Sequence, residues 1–197
     1  MENEKTLTEK ESFEIITQMI NKAKSDYRET GVAALMWGSI VTFCSLVTFI
    51  NYYLQWQPAK YVWFLTYIAV IPQIIISVRE SKKTKYKTYN ADAMGGIWIS
   101  FGIALILLIY FVNTFKAEHN ETLFLILYGV PTFATGYTRK FKAMIIGGTA
   151  CWAFAIASMY IVFPYTMLLT AAAALLAWFI PGLILRRRFL KAKEQHV

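Results

Sequence analysis

Charge is what this chain has least of. Only 16% of its 197 residues are Asp, Glu, Lys or Arg, where a soluble domain carries roughly a quarter, while 57% are hydrophobic. The shortage is also uneven. Six stretches, 31–53, 61–78, 93–113, 122–138, 143–162 and 166–185, hold no charged residue. A water-soluble fold with buried helices rarely sorts its charges so completely, because each helix keeps a polar face for solvent. Cysteine is almost missing as well. Cys44 and Cys151 both sit inside apolar stretches, which excludes a disulfide framework and leaves neither with metal-ligand neighbours.

The missing charges exclude further chemistry. Ionisable groups at membrane depth mark proton relays and substrate paths, and none is present in the six stretches. Both histidines, His119 and His196, lie outside them. Ser39, Ser45, Ser77, Ser100 and Ser158 therefore have no base to activate them as nucleophiles. No glycine-rich phosphate loop occurs, and the pairs Gly95-Gly96 and Gly147-Gly148 read as helix-packing positions. The chain is expected to be neither an enzyme nor a holder of metal or cofactor.

What is present fits a bilayer. Each apolar stretch has about the length, 17–25 residues, that crosses a ~30 Å hydrocarbon core as a helix. The fourth is the shortest and contains Gly129, Pro131 and Gly136. Eighteen of the twenty basic residues fall before the first stretch, in the second and fourth connections, or after the last stretch; only Lys60 and Lys116 fall in the others. That alternation orients the chain with both termini in the cytoplasm. It also accounts for the net charge of +8 without nucleic acid. Tyr52, Tyr53, Trp56, Tyr61, Trp63, Tyr110 and Tyr165 fall at the outer ends and suit an interfacial aromatic belt. The expected architecture is an all-α, polytopic bundle of six transmembrane helices in the cytoplasmic (inner) membrane. Residues 1–30 form a cytoplasmic N-terminal segment, 31–185 the bundle and 186–197 a basic tail.

The N-terminal segment is amphipathic over 8–28. Phe13, Ile16, Ile20, Ala23 and Tyr27 recur at helical spacing, and Thr8 with Glu11 fits a capping box. This helix lies on the inner membrane surface or docks a partner protein. The basic loop at 79–92 is read as contact with anionic lipids of the cytoplasmic face, or as a docking loop for a cytoplasmic or membrane protein partner. The first 30 residues are polar, so the first apolar stretch is expected to be its own insertion signal.

The stretches also pair into three candidate helical hairpins. Pro72, Pro131 and Pro181 occupy the second, fourth and sixth, each ahead of a basic cluster. The first, third and fifth carry small-residue ridges through Gly38, through Gly96 and Ser100, and through Gly147. Such ridges let membrane helices approach closely. True repeats require the odd-numbered helices to meet along them; coincidence of composition is the rival reading. A proline inside a helix frees a carbonyl one turn earlier, so Pro72, Pro131 and Pro181, with the neighbouring Gln73 and Thr132, are candidate polar or hinge positions. Gln73 lines a solute path or bonds a neighbouring helix.

The segments INKAKSDYRETGVAALMWG (20–38) and IPQIIISVRESKK (71–83) resemble small six-span bacterial integral membrane proteins. The resemblance implies the fold and location already read from the residues and brings no activity. The amphipathic helix and the loop after the second span also share the layout of ABC-exporter membrane subunits. Three function classes remain, the last in rank an enzyme acting on lipids through interfacial residues. The first is a non-enzymatic membrane protein that moves a small neutral or amphipathic solute or serves structurally in a membrane complex. The alternative is a partner-dependent interaction or sensor subunit, including an ABC-exporter-like one.

Overall fold

A helix is the one open-ended structure that satisfies every backbone donor and acceptor within its own segment, so an apolar stretch in lipid folds as helix. A computed structural model of the chain, describing residues 8, 12–14, 17, 30–83, 89–115 and 120–194, has helix over all six stretches and no strand among the described residues. The helices are α1 (Val32–Leu54), α2 (Phe64–Lys83), α3 (Tyr89–Phe115), α4 (Asn120–Thr138), α5 (Lys142–Ser158), α6 (Tyr165–Ala174) and α7 (Ile180–Glu194). A 3-10 turn, Gln57–Tyr61, precedes α2. Three helical runs are long and apolar enough to cross a membrane: Val32–Leu54, Ala93–Phe115 and Tyr165–Ala192. Most of the amphipathic helix expected over 8–28, and the centre of the 79–92 loop, lie outside the described residues.

The last apolar stretch is one helical run with a defect. Leu175–Phe179, between α6 and α7, forms a π-turn. Pro181 supplies the reason: it has no N–H to offer Ala177, and the widened turn instead lets the Ile180 N–H reach the Leu175 carbonyl. Two glycines hold this turn from either side. A Cβ added at Gly38 of α1 would lie 2.6 Å from the Phe179 nitrogen, and one at Gly147 of α5 would lie 2.5 Å from the Leu176 carbonyl oxygen. The last run thus lies between α1 and α5, presenting buried Ala171, Ala173, Ala174 and Ala177.

α4 and α5 make the most extensive helix pair. Gly136 meets Met144 and Ile145, Gly148 meets Phe133, and Gly129 meets the Trp152 indole, in an antiparallel register set by small residues. Gly148 faces α4 while its neighbour Gly147 faces the π-turn, so α5 wedges between them. At the other end of α1, Gly31 has φ 70° and its α-carbon abuts the Gly182 carbonyl, so both backbone conformation and space demand glycine.

α2 and α3 are peripheral. α2 packs on α1 and α3 on α4. Ile71, Ile74 and Val78 of α2 stay exposed, as do Ile99, Ile103, Ile106 and Tyr110 of α3. This corrects the ridge expectation for the third stretch. Gly96 and Ser100 are exposed, and a Cβ added at Gly96 meets nothing within 4 Å. The odd-numbered ridges do not meet one another either: those through Gly38 and Gly147 both close on the last run. A flat alanine surface there accepts close approach from both sides, whereas α3 offers its small residues outward. The three prolines are also inequivalent. Pro131 and Pro181 are buried, Pro72 is half-buried, and of the three helices that hold them only the last has a π-turn.

Candidate functional site

Indole N–H groups engage four polar side chains of the apolar helices, Thr48, Gln73, Thr132 and Thr135. Five of the six tryptophans donate across to a neighbouring element. Trp37 of α1 donates to Gln73 Oε1 of α2 at 2.9 Å. Trp63, just before α2, donates to Thr48 Oγ1 of α1 at 3.0 Å, so it is a helix-joining residue as well as one of the expected outer belt. The other three converge on α4. Trp98 of α3 reaches Thr135 Oγ1 at 3.2 Å. Trp152 of α5 reaches the Ile126 carbonyl at 3.2 Å. Trp178 of the π-turn reaches Thr132 Oγ1 at 3.0 Å.

The local sequence of α4 explains the convergence. Thr132 and Thr135 each donate their own proton one turn back, to the Tyr128 carbonyl at 2.8 Å and the Pro131 carbonyl at 2.7 Å. Their lone pairs are then free to accept an indole. Gly129 leaves room for the Trp152 ring to lie against the backbone and reach a carbonyl. The glycines that make this the least helix-like stretch let α5 approach closely, and its threonines receive α3 and the last run.

Around this hub the core is aromatic and small. Tyr128 and Trp178 rings are 4.8 Å apart, Phe101 of α3 packs edgewise on Tyr128 at 6.2 Å, and Phe124 of α4 lies tilted against it at 6.3 Å. Val41, Leu125, Cys151, Ala155 and Ala173 complete the buried cluster. Towards the other end of α4, Thr122 and Ser158 hydroxyls lie 2.6 Å apart. Ser158 donates to the Ala155 carbonyl at 2.7 Å, so Thr122 is the donor in that pair.

Gln73 is engaged at both ends of its amide: its oxygen accepts from Trp37 and its nitrogen donates to Ser77 Oγ at 3.0 Å. Gln73, Thr132 and Gly182, which follow the three prolines, do not form one site. Their respective contacts are Trp37 and Ser77, Tyr128 and Trp178, and the backbone of Leu35. Sequence reading missed the tryptophans as a set. The available signal was tryptophan inside apolar stretches rather than at their ends, since a buried indole N–H requires a partner.

The arrangement holds helices together. Among the described residues no three His, Cys, Asp or Glu side chains converge, and Cys44 and Cys151 are free thiols buried in the core. No known protein family matches the chain, nor does any curated protein or solved structure.

Proposed function

We propose that this chain is a six-span protein of the cytoplasmic membrane, with both termini in the cytoplasm, and that it serves without enzymatic activity as a structural and interaction subunit of a membrane complex. The observation that carries the reading is Gln73. A solute path needs polar groups open to the solute, and the most polar side chain of the apolar stretches has its amide bonded to Trp37 and Ser77. Hydroxyls at Thr48, Thr122, Thr132, Thr135 and Ser158 are likewise used between helices, while Ser45, Asn51 and Thr166 each bury a polar atom with no partner among the described residues. Peripheral α2 and α3, each with one principal helix neighbour, give the bundle two apolar flanks for lipid or a neighbouring subunit.

The six-span count rests on the alternating basic connections together with a helix over each apolar stretch. The experiment is purification of the full chain in mild detergent, with its assembly size measured beside a proteoliposome flux assay using neutral and amphipathic solutes. A defined complex larger than one 22.6 kDa chain and no flux are expected. A monomer that carries flux abolished by Gln73→Leu would overturn the reading in favour of transport.

A further inference from the structure

The connection between α4 and α5 brings positive charge from two parts of the chain to one place. Helix α4 closes with Phe141 N–H on the Gly136 carbonyl at 2.8 Å, and Lys140 takes the left-handed position at φ 52°. Glycine or asparagine is the usual residue there, so the turn keeps a lysine at some conformational cost. Phe141 is buried, and the Arg188 guanidinium of α7 lies over its ring, 5.1 Å from the centroid. Stacking holds Arg188 on the residue that lies between Lys140 and Lys142 in the chain, and both lysines are exposed. Arg187, also exposed, and Lys191 one turn on add the same sign.

Nothing described neutralises this cluster. Among the described residues no ion pair involves Lys140, Lys142 or Arg188. The acidic side chains with stated positions lie elsewhere: Glu80 accepts from Thr30, Glu121 opens α4 at its other end, and Glu194 is six residues beyond Arg188. Like charges held together attract an anion, and a stacked guanidinium is pre-organised to bind phosphate oxygens. The α5 N-terminus, where Phe141 provides no side-chain cap, adds a dipole of the same sign.

We propose that Lys140, Lys142 and Arg188 form a binding site for the phosphate headgroup of an anionic phospholipid of the inner leaflet. The site rests on the orientation proposed above, which places this turn at the cytoplasmic membrane surface where such headgroups are densest. The lipid's acyl chains would run along the apolar flank of the bundle.

The test uses the full chain in neutral detergent, with the thermal midpoint followed as phosphatidylglycerol, phosphatidylcholine or inorganic phosphate is added. Phosphatidylglycerol should raise the midpoint, and the other two should not. Lys142→Gln should weaken the effect about fivefold and Lys142→Gln with Arg188→Gln further, at roughly one such factor per charge near the surface. Lys60→Gln, on a connection at the opposite face, should leave it unchanged. Lys142 is exposed and has no described side-chain partner, so the single variant should fold. Equal stabilisation by inorganic phosphate, an unchanged lipid effect in Lys142→Gln, or an equal loss in Lys60→Gln would overturn the proposal. The measurement is made in detergent, so an error in orientation shows up only in topology experiments and stays distinguishable from failure of the site.

Discussion

Trp178 donates its indole N–H to Thr132 Oγ1 at 3.0 Å, and both residues are buried. The bond ties the π-turn of the last helical run to α4, two elements more than forty residues apart in sequence. Because Thr132 passes its own proton to the Tyr128 carbonyl, the hydroxyl can only accept here. The pair therefore has one defined direction.

That direction sets the first prediction. Thr132→Val keeps shape and removes the acceptor, leaving a buried indole N–H unpaired, so stability in detergent should fall by about 1–2 kcal/mol. Thr132→Ser keeps the acceptor and should cost about half as much. Chemical unfolding followed by tryptophan fluorescence measures both. A loss in Thr132→Ser with none in Thr132→Val would mean that the methyl contact, not the hydrogen bond, matters.

Glycine substitutions separate close contact from mere composition. Gly147→Leu should disrupt packing, because the α-carbon already abuts the Leu176 carbonyl. Gly136→Leu should be comparably damaging, since its α-carbon abuts the backbone of Met144 and Ile145. Gly136 belongs to no small-residue ridge and the sequence makes it the more tolerant position, but the contacts make the two alike. Gly96→Leu meets open space and should express and purify as well as the unaltered chain. Yield of monodisperse protein on size-exclusion chromatography ranks all three.

Gln73→Leu removes a hydrogen bond from both Trp37 and Ser77. If the amide serves packing, the variant loses about 1 kcal/mol and the protein keeps its assembly state. Guanidinium titration, run beside native gel electrophoresis, gives both readouts. A lost activity with unchanged stability would instead mark Gln73 as a binding residue.

Topology is tested by reporter fusions. Those after residues 57, 118 and 164 should report the outside, and those after 85, 141 and 195 the cytoplasm, since the basic residues cluster on alternate connections. A cytoplasmic signal at 118 would remove the third and fourth spans from the six-span proposal.

Thiol accessibility tests the core. Cys44 and Cys151 are each 0% exposed, and Cys44 donates to the Val62 carbonyl. A membrane-permeant maleimide should label neither in the native bundle within the time that labels both in denaturant. Rapid labelling of Cys151 would show that α5 and the last helical run separate readily.

The sequence by itself determined that the described chain is helical and where the helices lie. In an apolar stretch every backbone group must be satisfied within the segment, so absence of charge is enough to place the element. It also determined that Gly38 and Gly147 suit close approach, because a small residue on an apolar helix reads the same in one dimension as in three. Which helices meet was decided only by tertiary structure. Gly96 and Ser100 have the same spacing as the other ridges and face outward, since nothing in a ridge names its partner. The fourth stretch, shortest and richest in proline and glycine, became the hub that receives Trp98, Trp152 and Trp178. Hydropathy counts its Thr, Gly and Pro as weakness. In the packed bundle, the hydroxyls are the acceptors for two indoles and the glycines are the space through which α5 reaches the backbone.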